Sequence, residues 1–271
     1  TTTQSGMQLI KATQAFDAEK RQISFLNNAA GSDMAIAISP TDASRYAFAA
    51  NWTGNWQLWL HTDGQNKQLT ELTAANQPVN AINWSGDGRY IAFIQQGNLY
   101  LYDTQRQQLI NKREHNDVGQ ALWLADNTGL ILTRVEAQTQ NLWQLDLVSN
   151  DFTQLTFVAG NFAQYSAEGE LLYHKDGKLY QYVDGAKQDK LLEQNSDANY
   201  MAVWLQQGQR QYRYSMLGHV QRRDLNNGNE QTTQLPYQLI GIHPDPHNPD
   251  VLYATAFITP ELALEFMQWQ Q

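Results

Sequence analysis

The stretch "NWSGDGRYIAFIQQGNLYLYDTQ", residues 83–105, decides the fold of this chain. It contains two apolar runs, residues 90–94 and 99–102, which are separated by a short polar segment ending in Gly-Asn. The first run has Ile91 and Phe93 on one side and three further apolar residues on the other. Strands that are buried on both faces read in this way, as continuous apolar runs. The stretch therefore predicts a β-hairpin packed between two neighbouring sheets.

The second strand of this hairpin recurs along the chain. The recurring segments are "NWQLWLHTDG" (55–64), "NLYLYDTQ" (98–105), "NLWQLDLVSN" (141–150), "GKLYQYVDGA" (177–186), "GHVQRRDLNN" (218–227) and "LALEFMQWQQ" (262–271). The steps between Leu58, Leu99, Leu142, Leu179, Val220 and Leu264 are 41, 43, 37, 41 and 44 residues. A period of about forty residues is typical of a β-propeller blade of four strands.

Two strand-like runs precede each recurring segment, and in five of the six units a short outer strand such as "KQLT" or "TQLT" follows it. The sequence thus predicts an all-β fold, a six-bladed β-propeller of four-stranded antiparallel blades that forms a single domain over residues 1–271. The predicted blades are residues 32–73, 78–111, 117–157, 160–193, 198–236 and 237–271.

The sixth unit lacks a fourth strand. "MQLIKAT" (7–13) resembles the outer-strand segment "KQLTELT" (67–73). Because an open ring would leave unpaired strand edges, we expect residues 7–13 to supply the fourth strand of the last blade and to close the ring. The alternative is that these residues form an N-terminal tail.

Composition restricts the function. The net charge of −9 gives no general attraction for nucleic acid phosphates, so no nucleic acid contact is expected from this domain. The absence of Cys excludes disulfides, thiolate metal sites and Cys nucleophiles. The chain opens "TTTQSGMQ" without an initiating Met, and we expect that an upstream segment, such as a targeting or membrane segment, has been removed.

Two segments contain candidate site residues. Trp52 and Trp56, in "NWTGNWQLW", flank a predicted loop and are candidates for ligand or partner binding, because aromatic clusters mark many binding surfaces. Trp59 of the same segment is expected in the core. In "HPDPHNPD", His243, Asp245 and His247, together with Asp250, are candidate metal ligands. The alternative for that segment is a loop made rigid by three prolines.

Further polar groups favour structural roles. Asp103, Asp146, Asp184 and Asp224 recur just after the third strand of their units. A ring of carboxylates could gather cations, but Asp in this position also begins a turn by accepting hydrogen bonds from nearby backbone, and the recurrence favours the turn. The basic pairs at 222–223 and 112–113 are expected to be solvated.

No catalytic motif is present. The chain has no G-x-S-x-G elbow, no Walker motif and no dinucleotide-binding fingerprint. The sequence therefore predicts a non-enzymatic protein without a cofactor.

"INWSGDGRYIAFIQQGNLYLYD" resembles the repeat of TolB-type propellers, whose signature is a Trp-Ser-Pro-Asp-Gly-Arg turn followed by an aromatic-rich strand. "SPTDASRY" (39–46) is similar to the same turn, the match weakens in units three to five, and "HPDPHNPD" replaces it in unit six. Such propellers occur as periplasmic scaffolds, as domains of prolyl-oligopeptidase-like enzymes and as periplasmic halves of ToxR/CadC-like membrane-bound winged-helix regulators.

The resemblance implies a periplasmic sensory or interaction domain of a membrane-anchored transcriptional regulator. In that case an upstream membrane helix and DNA-binding domain are expected, and a protein or small-molecule signal would bind the propeller loops or the mouth of the channel. A free-standing TolB-like periplasmic scaffold is the alternative. A propeller fragment of a hydrolase or lyase is the third possibility, and activity that depends on His243 or His247 would support it.

Overall fold

The fold is built from strands. The structure, a computed structural model, describes residues 6–72, 76–113, 117–185, 189–194, 200 and 204–259. In this part of the chain every regular element is a β-strand, and the strands form six four-stranded antiparallel sheets. The predicted six-bladed, all-β propeller is therefore confirmed. No helix in the described ranges is long and apolar enough to cross a membrane.

The strands are numbered in chain order and the blades from 1 to 6, each with its strands given from the centre outward. Blade 1 consists of β3 (Asp33–Ser39), β4 (Asp42–Ala50), β5 (Gln57–Thr62) and β6 (Gln65–Gln68). Blade 2 consists of β7 (Val79–Trp84), β8 (Tyr90–Gln95), β9 (Asn98–Asp103) and β10 (Gln108–Arg113). Blade 3 consists of β11 (Val118–Trp123), β12 (Gly129–Glu136), β13 (Thr139–Asp146) and β14 (Phe152–Gln154). Blade 4 consists of β15 (Asn161–Tyr165), β16 (Leu171–Lys175), β17 (Lys178–Gln181) and β18 (Lys190–Gln194). Blade 5 consists of β19 (Leu205–Gln207), β20 (Arg210–Tyr214), β21 (His219–Asp224) and β22 (Glu230–Gln234). Blade 6 consists of β23 (Gln238–Pro244), β24 (Val251–Ile258), β1 (Gly6–Thr13) and β2 (Gln22–Phe25).

At five of the six junctions the innermost strands of successive blades lie side by side, and between blades 5 and 6 β20 lies against β23, which places the innermost strands around the centre of the ring. Two tryptophans at the ends of innermost strands connect neighbouring blades through the indole nitrogen. Trp84 of blade 2 donates to the Ala37 carbonyl of blade 1 at 2.9 Å, and Trp123 of blade 3 donates to the Asn83 carbonyl of blade 2 at 3.1 Å. These hydrogen bonds satisfy buried donors and hold adjacent blades in register.

Blade 2 shows how the hydrophobic core is divided between blades. Ile91 and Phe93 belong to the apolar cluster shared with blade 1, and Ala92 and Ile94 belong to the cluster shared with blade 3. The prediction of a hairpin that is apolar on both faces is confirmed. Because successive strand residues face opposite sides, one blade supplies a wall to each of two interblade cores.

The hairpin of blade 2 closes with a two-residue turn between Gln95 and Asn98. Its two central residues are Gln96 and Gly97, with φ of 53° and 74°. Two positive φ values match the right-handed twist of a two-residue hairpin. Blade 4 repeats this turn at Asp176 and Gly177, with φ of 50° and 70°.

The N-terminus closes the ring, but not in the predicted position within the blade. Strand β1 pairs with β24 on one side and with β2 on the other, so residues 7–13 form the third strand of blade 6 rather than its fourth. The fourth strand is Gln22–Phe25. The predicted third strand, residues 262–271, lies outside the described residues.

Polar contacts with blade 1 hold the closing strand in place. The Asp33 carboxylate accepts hydrogen bonds from the Leu9 backbone nitrogen and from the Asn27 side chain. The Gln8 side chain donates to the Gly31 carbonyl at 2.8 Å. The N-terminal strand is therefore joined to the blades on both sides of the closure, as a closed ring requires.

Candidate functional site

The two tryptophans of the predicted binding site, Trp52 and Trp56, lie in different environments. Trp56 is only 8% exposed and belongs to the apolar cluster between blades 1 and 2, so this candidate lies in the core. Trp52 is half-buried, with ring centroids 5.3 Å from Phe48 and 4.8 Å from Trp59. The loop folds both indoles inward against apolar neighbours. A binding role for Trp52 stays a prediction.

The predicted metal ligands in "HPDPHNPD" are engaged in separate contacts. Asp245 Oδ1 accepts from the backbone nitrogens of His247 and Asn248 at 2.8 and 3.2 Å. The His247 Nε2 atom lies 2.8 Å from the Ser39 carbonyl of blade 1. Asp250 pairs with Arg222 at 3.4 Å.

His243 occupies a different environment from that loop. It lies on the innermost strand β23, where burial lowers its pKa to about 4 and keeps the imidazole neutral. Within the described ranges, no three His, Asp or Glu side chains are grouped so that they could hold a metal ion. The geometry instead favours the rigid-loop interpretation of this segment.

Three of the four recurring aspartates, Asp103, Asp146 and Asp224, begin turns, as the structural interpretation predicted, whereas Asp184 accepts from the Tyr182 hydroxyl. Asp146 Oδ1 accepts from the backbone nitrogens of Val148 and Ser149, both at 2.8 Å, and these bonds hold the pKa of its carboxyl below the ordinary value. Asp103 makes the same turn and also accepts from Arg89, which is the main cause of its lowered pKa. The hydrogen bonds of these carboxylates are therefore made to groups of their own blades.

A cleft that the sequence reading missed lies between blades 3 and 4. Its volume is about 500 Å³, within the range of ligand sites. One wall consists of residues 154–159, which are the end of β14 and the connector that leads from blade 3 to blade 4. The other wall consists of blade 4 residues, among them Tyr173, Lys175, Tyr180, Tyr182, Val183 and Asp189.

The connector wall is fixed to blade 3. The Thr156 hydroxyl accepts from the Leu142 backbone nitrogen at 2.9 Å and donates to the Asn141 side chain at 3.2 Å. The Ala159 nitrogen also donates to Asn141 at 3.2 Å. At Gly160 the connector passes so close to blade 4 that a side chain would not fit. An added Cβ would lie 2.8 Å from the Thr156 hydroxyl and 3.2 Å from the Tyr173 ring.

The tyrosine wall follows from strand alternation. Tyr180 and Tyr182 are two residues apart and lie on one face of blade 4, opposite Tyr173 on the neighbouring strand. The rings of Tyr173 and Tyr180 stack with centroids 5.6 Å apart and planes inclined by 21°. The Tyr173 hydroxyl donates to Asp189 Oδ2 at 2.5 Å, and the Val183 nitrogen donates to Asp189 Oδ1 at 3.1 Å. Burial and this bond raise the pKa of Tyr173, which remains a neutral donor.

The rim of the cleft is apolar and exposed. Phe157 is 73% exposed and Val158 is 70% exposed, although both line the opening. The sequence carried a signal for this rim that the repeat analysis did not use. Directly after its Gln-Leu-Thr segment, the chain that leads from blade 3 to blade 4 reads "FVAG", which places Phe157 and Val158 together between two blades. An exposed apolar pair beside a preformed cleft is typical of a contact site.

The comparisons with known proteins identify a fold class. The sequence matches no protein-family model and no curated protein. Among solved structures, the chain resembles TolB-like six-bladed propellers. With TolB from Acinetobacter baumannii it shares 18% identity and a TM-score of 0.58 over 84% of this chain and 64% of that chain. It thus spans just under two thirds of that TolB chain.

Two further structures agree with the fold. The putative TolB from Agrobacterium tumefaciens is 15% identical, with a TM-score of 0.63 over 94% of this chain and 99% of that chain. A chain of a nidogen/laminin complex is 12% identical, with a TM-score of 0.58 over 85% of this chain and 94% of that chain. At these identities the likeness establishes the propeller architecture.

Proposed function

We propose that this protein is a non-enzymatic binding propeller of the periplasm that contacts its partner through the cleft between blades 3 and 4. The observation that carries the proposal is the exposed pair Phe157 and Val158 at the mouth of a cleft whose two walls are already in place. A preformed site with an apolar rim needs little rearrangement on binding. The TolB-like fold neighbours support the periplasmic setting.

Two settings fit this binding role. In the first, the propeller is the sensory domain of a membrane-anchored transcriptional regulator, as the sequence resemblance implies. In the second, it is a free-standing TolB-like scaffold, which the fold neighbours favour. The gene sequence upstream of Thr1 separates them, because the regulator requires a DNA-binding domain and one membrane helix, whereas the scaffold requires a cleavable signal peptide. An alkaline-phosphatase fusion that is inactive in cells would overturn both.

Site-specific crosslinking tests the cleft. A photoreactive benzoylphenylalanine at position 157, expressed in the native bacterium, should form a discrete adduct that is lost when Val158→Ser and Tyr180→Leu are also introduced. The control carries the same probe at Val148, which is 87% exposed on a turn of blade 3 outside the cleft. Equal adducts at 148 and 157, or none at 157, would contradict a binding role for the cleft.

A further inference from the structure

We propose that the cleft between blades 3 and 4 binds a small aromatic carboxylate, with its ring along the tyrosine wall and its carboxylate at Lys175. This inference rests on the proposed binding role of the cleft. It follows from three features: an uncompensated cation at one end, a flat slot in the middle and a satisfied carboxylate at the other end.

The cationic end is at the hairpin of blade 4. Lys175 lines the cleft, and Lys178 lies directly opposite it on the adjacent strand. Directly opposed residues in an antiparallel pair have Cβ atoms roughly 5 Å apart, so two like charges in this position disfavour each other. In the described part of the chain neither lysine has a carboxylate within salt-bridge distance. A bound anion would relieve this repulsion.

The middle of the cleft is a slot with tyrosine rings on one side and apolar side chains on the other. Tyr173, Tyr180 and Tyr182 form one side, and the apolar side chains of Leu155, Phe157 and Val158 lie on the other. Because Tyr173 is buried, a ligand ring would pack against the partly exposed rings of Tyr180 and Tyr182, in the offset or edge-on arrangements that aromatic pairs adopt. The slot therefore selects a ring, and the volume of about 500 Å³ limits the ligand to a small molecule.

The far end fixes the orientation. Asp189 already accepts hydrogen bonds from Tyr173 and from the Val183 nitrogen, so its side chain is held in place at the wall of the cleft. A second anion at that end would meet this charge. The carboxylate of the ligand is therefore directed to the Lys175 end, with the ring between the two charges.

Calorimetric titrations of the intact chain with three probes separate the contribution of the aromatic ring from that of the carboxylate. Indole-3-acetate has both a ring and a carboxylate, indole-3-acetamide has the ring alone, and acetate has the charge alone. We expect saturable one-to-one binding of indole-3-acetate, with affinity lower by at least about tenfold for the acetamide, as for loss of one charge-assisted hydrogen bond, and no measurable binding of acetate.

Matched variants locate the site. Lys175→Met should weaken indole-3-acetate binding to the level of the acetamide, and Tyr180→Leu should weaken both indole probes. Lys190→Met is the control, because Lys190 belongs to the same blade and pairs with Gln181, on the face turned away from the tyrosines. Circular dichroism spectra of all variants should match that of the unmodified chain.

Several results would overturn the proposal. One is no saturation by indole-3-acetate up to roughly 5 mM, a concentration that covers weak binding. The others are equal affinities for indole-3-acetate and indole-3-acetamide, or unchanged indole-3-acetate binding by the Lys175→Met chain. Binding of a peptide with a C-terminal Trp but not of the free acid would also overturn it, and would assign the cleft to a protein partner. If the probes do not bind while the adduct at position 157 persists, only the ligand assignment fails. Loss of both results removes the binding role as well.

Discussion

The middle strands of blades 2 and 5 occupy equivalent positions in the ring but present different surfaces to their neighbours. In blade 2 both faces are apolar, with Phe93 and Tyr100 stacked 5.0 Å apart toward blade 1. In blade 5 only one face is apolar: Tyr212 and Val220 pack against blade 6. The face toward blade 4 consists of Gln211, Arg213, Gln221 and Arg223. A propeller junction can thus be made of either apolar side chains or guanidinium and amide groups.

The polar junction is organised around an indole ring. Trp204 is buried, with the guanidinium of Arg213 centred 4.6 Å and that of Arg223 4.5 Å from its ring centroid. Arg223 also forms a salt bridge with Glu193 of blade 4 at 2.7 Å. Guanidinium groups stack well on aromatic rings because they are planar and weakly hydrated. Stacking and ion pairing replace apolar burial at this junction.

The largest expected effect is in the apolar blade. Phe93 is fully buried, so Phe93→Ala should lower the free energy of unfolding by about 3–5 kcal/mol through lost burial and the cavity it leaves. Urea titration followed by tryptophan fluorescence measures this change. Phe257→Ala, at a position 40% exposed, is the control and should cost about 1 kcal/mol or less. Equal losses in the two variants would contradict the assignment of blade 2 as a main source of stability.

The second largest expected effect is a loss of stability at acidic pH caused by His174. His174 of blade 4 is buried, and burial lowers its pKa to about 4 from the model-peptide value of 6.5. Between pH 6.5 and 4 the unfolded chain binds a proton at this residue that the native chain does not bind. Its contribution to stability is therefore lost as the pH falls through this window, by at most about 3 kcal/mol.

The measurement compares His174→Leu with the unmodified chain across this window. Glu193 lies close enough to His174 to raise its pKa slightly, and Asp33, whose pKa burial raises to about 6, contributes with the opposite sign. Both are present in the two chains, so the difference between their stability curves isolates His174. We expect the variant to lose less stability on acidification. Parallel curves would show that this imidazole titrates as it does in the unfolded state.

The third effect tests the polar junction directly. Arg223→Met removes the contacts with Glu193 and Trp204, and Glu193→Gln removes the charge of the partner. Because the Arg223 side chain is 23% exposed, each change should cost about 1–2 kcal/mol, between the values for surface and fully buried pairs. The double variant should cost less than the sum. As a control, Arg106→Met should be nearly neutral, since Arg106 lies on the surface and 3.9 Å from its partner Asp103.

The sequence was sufficient to predict the ring, because six copies of one pattern required six similar sheets. It was misleading about ring closure because "MQLIKAT" resembles an outer strand. Strand β1 has eight residues, with Leu9, Ile10 and Ala12 buried. This length and this burial are those of a strand paired on both sides. The second strand that completes blade 6, Gln22–Phe25, has only four residues, and its Ile23 and Phe25 pack against the apolar cluster of blades 5 and 6. It pairs with β1 as a hairpin, whereas the pairing of β1 with β24 joins the two ends of the described chain, and no local pattern encodes that contact.

The arginine pair shows a misreading that strand alternation could have prevented. Arg222 and Arg223 were expected to be solvated together, and this was wrong. Successive strand residues face opposite sides, so Arg222 lies against the Phe16 ring of blade 6 while Arg223 faces blade 4. The pattern "RQYRY" already indicated one aromatic and one polar face. The cleft could not be predicted in the same way, because it depends on the spacing of two whole blades.

The smallest effect separates the two kinds of junction by ionic strength. Salt screens the partly exposed charges of Arg223 and Glu193 but not apolar contacts. Raising the ionic strength from low salt to roughly 0.5 M should therefore reduce the cost of Arg223→Met by about 0.5 kcal/mol, a fraction of an exposed ion pair. The cost of Phe93→Ala, measured in the same buffers, should stay constant within error. An equal salt response in both variants would mean that Arg223 stabilises blade 5 through its stacking on Trp204 rather than through its charge.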